Sequence, residues 1–283
     1  MRSISRRRNR LSASNLSSVE VTVSKLCRTV RSIPALVGAV DNTFCWANQY
    51  SSRGSWTRVQ ASELLFPKIV HTKSTMRGAV PRYSSTADRL TQQAQAGAFE
   101  RACDLIVEAL DAGGILQAFG TGHSEAFAME IAGRAGGLIP TNKIALRDVV
   151  LRGSHDVKVL AGSTLERNPS IAAELWDVSR INAGDVFIIA SNSGVNGSIV
   201  GFALLAKDKG HPVIAVTSLK HTMQVEPKHA SGQRLCDVAD VVIDNLAPFG
   251  DATIALSGGV PVGSVASLPR AFIGPLLTIG EAA

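Results

Sequence analysis

Asp185-Val186-Phe187-Ile188-Ile189-Ala190 is apolar from its second position to its last and runs straight into Ser191-Asn192-Ser193-Gly194. A strand with one wet face alternates apolar and polar residues. A run without alternation belongs to a strand covered on both faces, as in a parallel sheet between two helix layers. The pattern recurs. Ile115-Leu116-Gln117-Ala118-Phe119 ends in Gly120-Thr121-Gly122-His123-Ser124, Pro212 to Val216 ends in Thr217-Ser218, and Val241-Val242-Ile243 ends in Asp244-Asn245. Helical stretches predicted at 124–136, 170–180 and 197–209 fall between these strands. Strands alternating with helices at this spacing imply right-handed βαβ units and an α/β, doubly wound sheet. Ligands of such sheets sit outside the carboxyl ends of the strands.

The rest of the order is read around that frame. Thr86-Ala87-Asp88-Arg89-Leu90 opens a predicted helix whose apolar positions continue through Phe99, Cys103 and Ile106 to Leu110. Asp111-Ala112-Gly113-Gly114 stops it. Residues 138–144 read as extended and 145–168 as a polar loop over a site. Residues 1–85 are assigned to a basic, disordered extension and 86–283 to the folded domain.

Charge supports that division. Residues 1–82 hold fourteen Lys/Arg against Glu20, Asp41 and Glu63, whereas residues 83–283 hold fifteen basic and twenty acidic residues. The chain's net +6 therefore belongs to its amino-terminal part, and the mildly acidic remainder speaks against a nucleic-acid ligand. Three readings of the basic part compete: a transit-like leader, a nucleic-acid arm with Trp46 and Trp56 for stacking, and a non-folding extension. The last is preferred, because no apolar signal core follows the arginines and no helix-turn-helix pattern is present. The cysteines at 27, 45, 103 and 236 have no C-x-x-C spacing, which fits a reducing cytosol and excludes a zinc knuckle. No apolar run reaches the ~20 residues of a membrane span, so a cytoplasmic protein is expected.

The turns carry the chemistry. A glycine-rich turn at a helix N-terminus offers unpaired N–H groups and the positive end of the helix dipole to an anion. Thr121 and Ser124, Ser191 and Ser193, and Thr217 and Ser218 add hydroxyls at three strand ends, a lining suited to a phosphate monoester. The bland alternative is that serine at a strand-to-helix turn is a good N-cap. A dinucleotide is disfavoured, since the third glycine and the following acid of that fingerprint are missing.

Phe119-Gly-Thr-Gly-His-Ser124 with Ser191-Asn-Ser-Gly194 resembles the two phosphosugar loops of the sugar isomerase (SIS) domain. Arg134-Ala-Gly-Gly137, Leu165-Glu-Arg167, Thr217-Ser-Leu219 with His221, His229-x-Ser-Gly232 and Asp240 to Asn245 bring the resemblance closest to a poorly characterised bacterial branch, over about residues 86–275. It implies a three-layer αβα sandwich with a five-stranded parallel, flavodoxin-like sheet, a homodimer, and a phosphorylated sugar as ligand. It also implies that Gly120, Thr121, Gly122 and Ser124 form the first loop and Ser191, Asn192, Ser193 and Gly194 the second. Asn196 stands where many such domains have threonine, and its amide can still donate to the phosphate as a ligand contact. The segment 258–283 is only loosely similar, so a terminal packing helix is expected to be short or missing.

Aldose–ketose isomerisation passes through an enediol and needs a base near C1–C2 and an acid for ring opening. Glu166, in the polar loop before a helix, is the expected base. His221 and His229 are the expected acids, and His123 is a ligand contact within the glycine turn. For each, a solvated loop side chain is the competing reading. Glu130 and Arg134 form an i,i+4 pair, and Asp244 and Asp251, on either side of Pro248, read as turn caps. No metal-ligand spacing exists and no cofactor is expected. Two classes of function follow: an enzyme using enediol chemistry (isomerase, lyase or deglycase), or a non-catalytic phosphosugar sensor.

Overall fold

The computed structural model describes residues 72–255 and 261–280. In order, these form α1 (Thr72–Gln95), α2 (Glu100–Asp111), β1 (Leu116–Gly120), α3 (Glu125–Ile131), β2 (Thr141–Ile144), α4 (Asp148–Leu151), α5 (Thr164–Arg167), α6 (Ile171–Val178) and β3 (Val186–Ala190). They continue with α7 (Gly197–Asp208), β4 (Val213–Thr217), α8 (Leu219–Thr222), α9 (Leu235–Val238), β5 (Val241–Asp244), β6 (Ala252–Ala255), β7 (Pro261–Ser264) and α10 (Ser267–Gly280). The basic extension expected over residues 1–85 lies outside the described residues as far as residue 71, as do Trp46 and Trp56. Among the described residues no helix is long and apolar enough to cross a membrane.

Five strands pair in parallel in the order β2-β1-β3-β4-β5, as expected of a three-layer α/β sandwich. Successive side chains of a strand point to opposite faces, and the apolar runs split accordingly. Leu116, Ala118, Val186, Ile188, Ile214 and Val216 pack with α1, α2, α3 and α10. Phe119, Phe187, Ile189, Val213 and Ala215 pack with α6 and α7 on the other side. That second face is built on aromatic rings. Phe202 lies 4.7 Å from Phe119 and 5.6 Å from Phe187, and Trp176 stacks on Phe187 at 5.5 Å.

The chain leaves β1 for β2 on one side and returns to β3 on the other, so the order reverses between β1 and β3. At this switch point the following connections diverge and leave a crevice. Register makes the crevice edge level, because Gly120 pairs with Ala190, Ala190 with Val216, and Thr217 with Asp244. At the opposite end buried Asp185 accepts hydrogen bonds from Ile115 N–H, Asn182 N–H and the Gln117 amide, closing the amino edge of β1 against β3.

Four elements differ from expectation. The single helix predicted at 86–110 is two: Gly97, at φ 79°, ends α1, which itself begins no later than Thr72 and contains Pro81. The helix after the glycine turn stops at Ile131 rather than at Gly136, where Ala132 turns extended. The loop 145–168 holds α4, a 3-10 turn at Val157–Leu160 and α5. The terminal helix is present and 14 residues long, and it buries Ile273 and Leu277 against the sheet's helical layer. A two-stranded antiparallel ribbon, β6–β7, precedes it.

Candidate functional site

The first turn is held by steric necessity. A Cβ on Gly120 would stand 2.4 Å from the carbonyl oxygen of Ser124, so the turn folds back on the strand end only with glycine there. Gly122 sits at φ 55°, in the left-handed region that glycine enters without cost. A short 3-10 turn, Gly122–Ser124, then leads into α3. Thr121 and Ser124 are buried and His123 is exposed. Ser124 Oγ accepts a hydrogen bond of 2.8 Å from the Arg270 guanidinium, which arrives from α10.

The second turn closes on itself. Ser191 Oγ accepts from Gly194 N–H at 3.1 Å, and Leu235 N–H donates to the Gly194 carbonyl at 2.8 Å. Gly194, at φ 63°, lies in the left-handed region that favours glycine, and a side chain there would press on Thr222 Oγ1 and Thr217 Oγ1. Ser193 is half-buried at the crest of the turn.

Glu166 spans the two turns. Its backbone carbonyl accepts from buried Ser198 Oγ at 2.6 Å, which fixes α5 to the start of α7. Its carboxylate accepts from the Asn196 amide with one oxygen. The other oxygen faces the position a Cβ on Gly122 would take, at 3.4 Å. The Asn196 amide thus acts on Glu166, where the sequence suggested a contact to phosphate.

Beyond β4 a chain of amides orders the ring of His221. Asn245 Oδ1 accepts from Ala247 N–H at 2.9 Å, so its amide nitrogen is the end that donates to Asn192 Oδ1 at 3.2 Å. Asn192 then presents its own NH2 to His221 Nδ1 at 3.2 Å. A ring nitrogen that accepts carries no hydrogen, so the proton of neutral His221 lies on Nε2. Burial holds this histidine below its ordinary value of 6.5; Asp251 works against that shift and Lys228 adds to it. A folded value below the unfolded one means the unfolded chain binds the proton more readily. The contribution of neutral His221 is therefore complete above pH 6.5 and is lost as pH falls through its lowered folded value. We expect the melting temperature to drop below pH 6.5 more steeply in the wild type than in His221→Phe. Parallel pH profiles of the two proteins would remove His221 as the source.

Several expected contacts are placed elsewhere. Thr217 and Ser218 are fully buried. The Thr217 hydroxyl reaches the Asn192 carbonyl at 3.4 Å, while Ser218 donates to the Ala247 carbonyl at 2.6 Å and caps α8 through His221 N–H. The N-cap reading holds for Ser218, and these hydroxyls support the site walls. His229 does not join His221; its Nδ1 accepts from Ser231 N–H at 3.1 Å, and its Nε2 faces Gly201 of α7. Glu130 pairs with Arg134 as expected. Asp244 receives Leu219 N–H and Leu246 N–H, and Asp251 receives Val265 N–H and Ala266 N–H, so both cap turns. Among the described residues no three His, Cys, Asp or Glu side chains cluster as a metal ion would need.

Two contributors were missed in the sequence, Asn245 as the partner of Asn192 and Arg270 as the partner of Ser124. Arg270 had a signal, as the one charged residue in the apolar stretch Ser267–Gly280.

A family model described as SIS domain matches residues 82–218. A UPF0309 protein of Brucella ovis is 37% identical over 190 residues, which cover 66% of this chain and 73% of that protein. A UPF0309 protein of Geobacillus kaustophilus is 39% identical over 156 residues, covering 55% of this chain and 61% of the relative's length. Among solved structures, a phosphoheptose isomerase from Francisella tularensis superposes with a TM-score of 0.45 at 18% identity, covering 74% of this chain and 99% of that one.

Proposed function

Because this chain belongs to the UPF0309 family of SIS-domain proteins, we propose that it binds a phosphorylated sugar at the β1/β3 switch point and acts in that sugar's metabolism. One observation carries the reading: two glycine turns lie side by side at the carboxyl edge, and a single carboxylate, Glu166, reaches from one to the other. The first turn, Gly120 to Ser124, receives the phosphate, with backbone N–H groups and the start of α3 as donors. Ser193, at the crest of the second turn, lies across the crevice from it.

Chemistry follows from what stands beside the anion. An open-chain aldose phosphate anchored through its phosphate presents C1 and C2 to Glu166, which takes the C2 proton and returns it at C1. The enediol between these steps moves a proton between O1 and O2, a task for a neutral side chain with one N–H and one lone pair. His221 is that group, its Nε2–H directed by Asn192. His123, exposed at the turn, contacts the sugar end of the ligand. Assembly as a homodimer belongs to the same proposal, supported by exposed apolar Met129, Ile139 and Ile279, as does a cytoplasmic location.

A thermal-shift panel tests the binding step. Phosphorylated hexoses and pentoses are expected to raise the melting temperature, whereas the unphosphorylated sugars are not. Ser124→Ala is expected to keep the fold and lose most of that shift. Stabilisation by free nucleotides and by no phosphosugar would defeat the reading. Binding without turnover of any phosphosugar would assign a sensor in place of an enzyme.

A further inference from the structure

Arg270 is 3% exposed, and no carboxylate pairs with it among the described residues. The acid that most affects it is Asp251, whose carboxylate is already taken by Val265 N–H, Ala266 N–H and the Ser264 hydroxyl. A guanidinium buried without a paired anion is costly, because the charge has left water and nothing in contact replaces it. α10 does not need it for docking, since Ile273 and Leu277 already bury the helix. What Arg270 does touch is Ser124 Oγ, at 2.8 Å.

We propose that Arg270 is the positioning residue of the first turn: it turns the Ser124 hydroxyl hydrogen toward the ligand and supplies the buried positive charge that selects a phosphoryl dianion. The inference rests on the phosphosugar reading above and says how that site tells a phosphate from a neutral hydroxyl. The physical steps are short. A guanidinium has five donors and no acceptor, so the serine oxygen must accept from it. With that lone pair engaged, the hydroxyl keeps one hydrogen to donate. The Ser124 oxygen, polarised by a cation, becomes a stronger donor, and the ligand dianion becomes the missing counter-charge. The free protein is therefore held in a strained electrostatic state that the ligand relieves. Burial also opposes Arg270's own charge, with Asp251 acting in the opposite sense.

A residue that only braces α10 and one that waits for an anion give opposite results when the charge is removed. In Arg270→Met the ligand-free protein is expected to melt at or above the wild-type temperature. Its affinity for inorganic phosphate and for fructose 6-phosphate is expected to fall at least tenfold by calorimetry, since charged hydrogen bonds are worth about that much. Fructose itself is expected to bind neither protein. Phosphate affinity equal to the wild type's in Arg270→Met overturns the proposal. So does a variant that folds but melts well below wild type while keeping its affinity. Should Arg270→Met fail to fold, Arg270→Gln decides, since it stays polar and removes the charge: a tenfold loss supports the proposal and unchanged affinity overturns it. A wild-type protein that binds neither phosphate probe defeats the functional reading itself, and the Arg270 inference with it; loss of the inference alone leaves wild-type binding intact.

Discussion

Glu166→Gln is expected to lower phosphosugar turnover by about 10²–10⁴-fold while affinity stays near wild type. The substitution is nearly isosteric, and a glutamine carbonyl still accepts from the Asn196 amide, so the bridge between the turns survives. Only the ability to take a proton is lost. Turnover is best followed as exchange of the substrate C2 proton with solvent, alongside calorimetric affinity for the same sugar phosphate. An equal loss of affinity would make Glu166 a binding residue, and unchanged exchange would remove it from the mechanism.

The largest effect on stability is expected from Phe202→Ala, at about 3–5 kcal/mol. Phe202 is fully buried on α7 and meets the rings of Phe119, Phe187 and Trp176. Phe119 and Phe187 are strand residues held by the sheet, and Trp176 belongs to α6, so the surroundings collapse poorly into the space left behind. Urea midpoints measure the loss, with Leu151→Ala, exposed at the end of α4, as the reference within about 0.5 kcal/mol of wild type. A loss below about 1 kcal/mol for Phe202 would mean that this face is loosely packed.

How much of this was legible in the sequence depended on what kind of signal each element carries. The strands of the sheet core were visible because burial on both faces removes polar residues from Val186–Ala190 and Val213–Thr217, and little else does that. The glycine turns were visible because backbone geometry demands glycine at Gly120 and Gly194. The break at Gly97 was not read, since the apolar positions on either side fall on one continuous helical face. Glu166 could be chosen from its place before a helix, and Asn196 from its place after the second turn, but their pairing could not, because side-chain contact across thirty positions leaves no periodic trace. The same holds for Asn245 acting on Asn192, and more strongly for Arg270. Conversely, Thr217 and Ser218 read as ligand contacts because a hydroxyl facing inward and one facing a ligand look alike in a sequence.

Ser124 and Arg270 are 146 positions apart. During synthesis all five strands of the parallel sheet and both turns leave the ribosome before Arg270 does. The sheet can pair and its helices can dock while the anion turn still lacks its last member. If Arg270 has the role proposed above, a nascent chain acquires its shape before its affinity, and a ligand does not template the early steps. Phosphate binding then reports that the final helix has seated, a stringent readout of completed folding.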